Sequence, residues 1–193
     1  MAIDDTKDKI VSVATKLFSR FGFHKTSMDE IARIARKAKG SLYYHFSGKE
    51  ELFKEVVSLE IENLKNQLQV IIDNQKLNAK DKLEQYLVKR MEILSNASNY
   101  HETIKADLYE HFYFIDDIRT ELDAWEKGSL KKILLQGVES NDFTEIEDVD
   151  VLLDVFIMVL KGLEIPFYLQ GKYETYSHHF ENLMNIVTKG LSK

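Results

Sequence analysis

The side chains best suited to chemistry lie in the first quarter of the chain, where cations stand beside hydroxyl and aromatic groups. Tyr43 and His45 can donate hydrogen bonds to phosphate oxygens, and Lys39 and Ser41 precede them. Five cations fall within 17 residues: Arg33, Arg36, Lys37, Lys39 and Lys49. This mixture favours contact with a nucleic-acid backbone. A basic face that only meets solvent is the alternative.

Residues for catalysis or metal binding are missing from the sequence. It has no cysteine, which excludes disulfides, thiolate metal sites and a cysteine nucleophile. His101 and Glu102 lack the second histidine of a zinc-protease motif, and His178 and His179 are adjacent, so on a helix they point about 100° apart. No glycine-rich phosphate loop is present. We therefore predict a protein that is not an enzyme, with no metal and no cofactor.

Charge is distributed unevenly along the 193 residues. The net charge is −6, but residues 1–49 hold 10 lysines and arginines against 5 acids, or +5, and the remainder holds 16 against 27, or −11. Such a division is typical of an acidic body with a basic contact surface. The first residues are acidic where a secretory signal is basic, and four charges interrupt the apolar stretch 149–169. We expect a cytoplasmic protein with no membrane segment.

The elements that must position these residues are helices. One proline and eight glycines leave few turns for a β-fold, and apolar residues recur at helical spacing throughout. About nine helices are predicted, which makes the fold all-α. Ser27 caps the second helix, and Ser47 caps the fourth in a box with Glu50. The other predicted helices span residues 6–21, 39–46, 81–95, 100–113, 116–138, 148–165 and 174–191.

Two short helices joined by a tight turn follow a supporting helix at the N-terminus. This is a helix-turn-helix layout, and its third helix is narrow enough to enter the major groove of DNA. Thr26 and Ser27 stand before the second helix, and Lys49 stands at the start of the fourth. Groups at helix starts can position such a module on phosphates.

Residues 10–53 closely resemble the N-terminal domain of TetR-family transcriptional regulators. The resemblance rests on Phe21-Gly22-Phe23, on Thr26-Ser27-Met28 and above all on the run from Gly40 to Phe53. It implies a homodimer on a double-stranded DNA operator, commonly a repressor, which a small-molecule effector releases. By position, Lys39, Gly40 and Ser41 would meet base edges or nearby backbone, and phosphates would be met by Thr26, Tyr43, Tyr44, His45 and Lys49.

The turn of the motif departs from the family pattern. Family members usually have a Gly-Val pair where this chain has Arg36-Lys37, and often Ser or Thr where it has Ala38. An arginine in the left-handed conformation costs about 1 kcal/mol, which favours a reshaped turn. The third helix also lacks a side-chain N-cap. The two added cations, Arg36 and Lys37, would compensate by attracting phosphates.

The expected organisation is a DNA-binding domain, residues 1–49, and a ligand-binding and dimerisation domain, residues 50–193. A ligand pocket is expected at Tyr86, Met91, Tyr109, Phe112, Tyr113, Trp125, Phe156 and Leu160. The apolar eighth helix and the ninth predict a dimer interface at Phe156, Val159, Leu163, Phe180, Leu183, Met184 and Val187. The alternative function is a helical protein-interaction module that does not bind DNA.

Overall fold

The computed structural model describes the backbone of residues 2–109 and 113–192 and the side chains of residues 5–106 and 113–192. Within these ranges the fold is all-α, as predicted. The helices are α1 (Ala2–Lys25), α2 (Met28–Ala35), α3 (Lys39–His45), α4 (Lys49–Ile72), α5 (Ala79–Ser95), α6 (Ser98–Tyr109), α7 (Asp116–Glu139), α8 (Val149–Glu164) and α9 (Lys172–Leu191). A 3₁₀ turn spans Tyr113–Ile115, and a π-helical turn spans Ile165–Leu169.

The chain forms two compact units whose limits differ from the predicted domain boundary after residue 49. The first unit comprises Met1–Glu62 and Ala97–Ile118, and the second comprises Asn63–Asn96 and Arg119–Lys193. The first unit therefore holds α1 to α3, the first half of α4, and α6. The boundary after residue 49 remains a prediction about function.

Aromatic rings form much of the core of the first unit. Phe18 meets Phe53 edge to face at 5.0 Å between ring centroids, and Phe23 lies 5.1 Å from Phe53. Phe114, in the 3₁₀ turn, packs on Phe23 at 5.5 Å. The rings come from α1, from the start of α4 and from this 3₁₀ turn. Their packing therefore joins α1 both to α4 and to the turn.

A carboxylate of α4 caps the start of α6. Glu60 accepts hydrogen bonds from the backbone N–H of Tyr100 at 2.8 Å and from Nδ2 of Asn99 at 2.7 Å. These contacts satisfy donors that a helix start leaves unpaired. Burial raises the pKa of Glu60, and the hydrogen bonds from Asn99 and Tyr100 oppose that rise.

The start of α4 corrects the predicted capping box. Ser47 bonds to Glu51 instead of Glu50, since its N–H and its hydroxyl donate to Oε2 of Glu51 at 2.6 and 2.7 Å. These two hydrogen bonds lower the pKa of Glu51. Helix α4 begins at Lys49, two residues after Ser47. The carboxylate within reach of Ser47 is therefore that of Glu51, four residues later, and not that of Glu50, three residues later.

In the second unit, α5 packs along α9, and the loop before α8 is fixed at two points. The ring of Phe143 lies against Gly137 so closely that a Cβ there would be 2.0 Å from Cδ2 of Phe143. The N–H of Thr144 donates to the carbonyl of Leu191 at 2.8 Å. The loop therefore joins the end of α7 to the end of α9.

The described helices include none with enough length and apolar character to cross a membrane. Among the same residues, no group of three or more histidine, aspartate or glutamate side chains is placed to hold a metal ion.

Candidate DNA-binding surface

The second helix begins as its sequence predicts, but the turn at its end differs from the prediction. The hydroxyl of Ser27 accepts a hydrogen bond from the N–H of Glu30 at 3.2 Å, which confirms the predicted cap. At the other end Arg36 is left-handed, with φ 54° and ψ 42°. The N–H of Lys37 donates to the carbonyl of Ala32 at 3.0 Å. The turn keeps this geometry, so the expected reshaping is wrong: the closing hydrogen bonds outweigh a strain of about 1 kcal/mol.

The third helix buries Leu42 and exposes four of its residues that were predicted to meet DNA: Lys39, Gly40, Tyr43 and Tyr44. Leu42 is fully buried, whereas Tyr43 and Tyr44 are 47% and 75% exposed. The position of Gly40 has no atom within 4 Å of where a Cβ would lie, so another molecule can approach the backbone there. The helix has no side-chain cap at Ala38, as expected. Helix α3 thus presents an open, aromatic face.

The cationic side chains around α3 make contacts that lie at or near the protein surface. Nζ of Lys39 lies 2.6 Å from Oδ1 of Asp29, with both side chains largely exposed. The hydrogen bond to Asp29 and its charge raise the pKa of Lys39. Lys37 donates to the hydroxyl of Thr6 at 2.9 Å, and Arg36 is exposed. Since exposed ion pairs contribute little stability, these cations can exchange their partners for phosphates at small cost.

Two residues predicted to contact phosphates are instead bonded within the unit. Thr26 is buried, and its hydroxyl donates to the carbonyl of Gly22 at 2.9 Å. Nζ of Lys49 donates to the carbonyl of Phe23 at 3.0 Å and lies 4.3 Å from the centre of its ring. Burial lowers the pKa of Lys49. Both side chains hold the end of α1, where Gly22 leaves helical geometry with φ 82° and ψ 169°.

The remaining predicted contacts lie around α3. Ser27 and Gly40 are exposed, and Ser41 and His45 are half-buried. The rings of Tyr44 and His45 meet edge to face at 5.1 Å. The structure therefore brings Ser27, Arg36, Lys39, Gly40, Tyr43 and Tyr44 to accessible positions on α2, the turn and α3.

Known proteins share this arrangement. Residues 10–56 match the family model for bacterial regulatory proteins of the tetR family. The chain is 28% identical to the transcriptional regulator QacR of Staphylococcus aureus over 97% of its own length and 98% of that protein. Residues 10–56 therefore belong to the TetR family. The chain is also 44% identical to the regulator LmrA of Bacillus subtilis, over 30% of this chain and 31% of LmrA.

A solved structure extends the likeness of fold to most of the chain. The regulator FadR of Bacillus subtilis, solved in complex with stearoyl-CoA, superposes with a TM-score of 0.71 at 20% identity. The match covers 91% of this chain and 96% of FadR. The relatives named above are transcriptional regulators and not enzymes.

The second unit contains a buried ionic cluster that sequence reasoning missed. Arg90 of α5 donates from Nε and Nη2 to both carboxylate oxygens of Glu126 at 2.6 and 3.0 Å, and from Nη2 to Glu164 at 3.2 Å. Nη2 of Arg119 lies 3.6 Å from Glu164. Tyr86 donates to Glu126 at 3.2 Å. The side chains of Arg90, Glu126 and Glu164 are each only 1% exposed.

The pKa values of Arg90 and Tyr86 favour a charged guanidinium and a neutral phenol in this cluster. Burial alone lowers the pKa of Arg90, but the charges and hydrogen bonds of Glu126 and Glu164 outweigh burial and hold it above its ordinary value. Burial and the carboxylate of Glu126 raise the pKa of Tyr86, so its hydroxyl remains a donor. Two arginines face two glutamates, and the cluster is neutral as a whole.

The side chains predicted to line a ligand pocket do not gather around one cavity. Tyr86, Met91 and Leu160 are buried in the second unit, and the hydroxyl of Tyr168 lies 3.4 Å from the sulfur of Met91. Trp125 is half-buried, and Tyr113 belongs to the first unit, where it is 77% exposed. Phe112 and the side chain of Tyr109 lie outside the described residues. Of the described members of the predicted set, Phe156 lines the cavity described next.

An apolar cavity of about 130 Å³ lies among α5, α7, α8 and α9 of the second unit. Leu83, Leu130 and Leu134 form its buried floor, Phe156 forms one wall, and Gly190 lies at the rim. Every residue that lines it is a leucine, valine, phenylalanine or glycine.

Helices α8 and α9 also expose a large apolar face. Val159 and Leu183 of the predicted interface are exposed, and Phe156, Leu163 and Val187 are half-buried. Phe180 and Met184 are instead buried in the core of the unit, since their side of α9 faces inward. The exposed apolar face further includes Val151, Val155, Met158 and Ile186.

Proposed function

We propose that this TetR-family protein is a ligand-responsive transcriptional repressor that acts in the cytoplasm. It binds a palindromic operator as a homodimer and is released by a small-molecule effector. Each protomer places α3 in a major groove, with the two helices about 34 Å apart along the DNA. Repression is the part of this proposal that rests on the family alone.

The observation that carries the DNA-binding part is the exposed face of α3. Tyr43 and Tyr44 are accessible although aromatic side chains usually seek burial, and Gly40 leaves the backbone open between them and the turn. Arg36 and Lys39 flank the same helix. Hydroxyls and cations in this arrangement suit the phosphates on both sides of a groove.

The apolar face of α8 and α9 supports the homodimer. Val155, Met158 and Val159 are each more than half exposed on α8, and Ile186 is 68% exposed on α9. A contiguous apolar face of this kind marks an interaction site. Two helices from each protomer would bury it in a symmetric four-helix interface.

Small-molecule control is supported by the second unit, which holds an apolar cavity, and by a structural neighbour. FadR of Bacillus subtilis was solved with stearoyl-CoA, and its fold is that of this chain. For release, the effector must bind the DNA-free conformation more tightly than the DNA-bound one.

Operator binding by the purified protein is the direct test. Selection from random double-stranded DNA identifies a binding sequence, and gel shifts at several salt concentrations measure its affinity. Wild type should lose affinity with a log–log slope of about 0.9 for each phosphate contact. Tyr43→Ala should weaken binding at least tenfold, since each protomer of the proposed dimer loses one phosphate hydrogen bond.

Tyr113→Ala provides the matched control, since Tyr113 is an exposed tyrosine outside the candidate DNA-binding surface. It should leave operator affinity unchanged. Equal affinities for wild type and Tyr43→Ala would contradict the assignment of α3. If no DNA sequence is selected and the gel shifts detect no salt-dependent binding to DNA, the chain is an interaction module that does not bind DNA.

A further inference from the structure

The four charges of the buried ionic cluster are already paired with one another. Arg90 is bound by Glu126 and Glu164, and Arg119 lies beside Glu164. A ligand with a charged group would have to break these contacts and leave one of the buried ions unpaired, at a cost of several kcal/mol. The polar centre of the unit is therefore not available to a ligand.

The apolar cavity offers the opposite environment. Leu83, Leu130 and Leu134 are at most 4% exposed, so its floor is sealed by packed side chains. Among the residues that the structure describes, no polar side chain lines it, and burying a charge or an unpaired hydrogen-bonding group there is unfavourable. Dispersion contacts with leucine and phenylalanine side chains are the interaction that it provides.

The size of the cavity limits the ligand further. Its volume is about 130 Å³, and dry apolar cavities of roughly 150 Å³ take up benzene-sized molecules. The position of Gly190 at the rim has no atom within 4 Å of where a Cβ would lie, so the entrance is open on that side.

We infer that this cavity is a binding site for a small uncharged apolar molecule of about one aromatic ring. The inference deepens the effector part of the proposed function, and it depends on that proposal only for the consequence that the ligand controls DNA binding. Leu152 and Val187 share the rim with Gly190.

Three probes that each carry one benzene ring test the chemistry: toluene, benzylamine and benzoate. Titration of the full chain without DNA, followed by ¹⁵N–¹H NMR, gives a dissociation constant for each. Toluene should bind with a constant of about 0.1–1 mM, as expected for seven heavy atoms in an apolar site. The two charged probes should bind at least tenfold more weakly, because the cavity cannot solvate them.

Filling the cavity tests its location. Gly190→Leu places a side chain in the open space at the rim, and Leu153→Phe adds volume from the wall. Each should weaken toluene binding at least tenfold. Gly128→Leu is the control, since Gly128 also has open space around it but does not line the cavity. It should bind toluene as wild type does.

Several results would overturn the inference: no saturable toluene binding, equal binding of the three probes, or unchanged binding in both filled variants. Absence of binding in a dimer would mean that a side chain of the second copy occupies the cavity, and the inference would again be wrong. Gel shifts without toluene test operator binding separately, so failure of one proposal does not imply failure of the other.

Discussion

Basic residues of the first unit have two different roles that their side-chain type does not reveal. Lys49 donates to a backbone carbonyl and lies on the ring of Phe23. Lys39 is exposed and paired only with the exposed carboxylate of Asp29. The first lysine holds the unit together, and the second is free to meet a phosphate at the cost of a weak ion pair.

Replacing each lysine by methionine separates the two roles. Lys49→Met should lower the free energy of unfolding by about 1 kcal/mol, since a hydrogen bond is lost, and leave the salt slope of operator binding unchanged. Lys39→Met should leave stability unchanged and reduce that slope by about 1.8, since the proposed dimer loses one phosphate contact in each protomer. Urea unfolding and gel shifts at four salt concentrations provide the two measurements. A reduced slope in Lys49→Met would show that Lys49 contacts DNA.

Arg36 makes a second residue-scale prediction through its backbone. Because its φ of 54° suits glycine better than any residue with a Cβ, Arg36→Gly should raise the free energy of unfolding by about 0.5–1 kcal/mol. Arg33→Gly, in helical geometry one turn earlier, should lower it by about 1 kcal/mol. Chemical denaturation checks both variants, and destabilisation by Arg36→Gly would mean that the arginine side chain stabilises the turn.

At the scale of elements, the ionic cluster joins α5, α7 and α8 of the second unit. Its members lie on three helices, with Arg90 and Glu126 separated by 36 residues and Arg90 and Glu164 by 74. Buried ion pairs fix which helix faces meet, because another arrangement would leave a charge unpaired in the core. The cluster thus specifies the packing of these helices more than it stabilises them.

Removing one charge from the cluster should therefore be far more harmful than removing two. Arg90→Met leaves Glu126 without its partner and should cost about 3–5 kcal/mol in unfolding free energy. Arg90→Met combined with Glu126→Leu should recover at least half of this loss, since Glu164 keeps Arg119 as a neighbour. Thermal and urea unfolding of the three proteins measure the difference. Equal destabilisation of the single and double variants would contradict this account.

At the scale of the whole molecule, the exposed face of α8 and α9 predicts the oligomeric state. Sedimentation velocity of wild type should give twice the chain mass of 22.5 kDa. Val155→Glu should give monomers, because a carboxylate would be buried at the interface. Leu135→Glu, at an exposed leucine of α7, should remain a dimer. A monomeric wild type would disprove the homodimer.

Local signals allowed the helices and the DNA-binding motif to be predicted from the sequence. The cap at Ser27 depends on neighbouring residues, and it is confirmed. The ionic cluster was missed because Arg90, Glu126 and Glu164 are distant in sequence and resemble ordinary surface charges. Helical periodicity also could not tell which side of α9 faces its own unit, so Phe180 was assigned to the interface although it is buried.

The contact between Gly137 and Phe143 offers a genetic tool. Any side chain at position 137 would displace the ring that anchors the loop from residue 140 to 147, and overpacking of this kind costs about 1–3 kcal/mol. A loss of this size leaves the protein folded well below its melting temperature, but near that temperature it unfolds a large fraction of the molecules. Gly137→Ala is therefore expected to be a temperature-sensitive allele. In a reporter strain it would make the regulated genes inducible by heat, without knowledge of the natural signal.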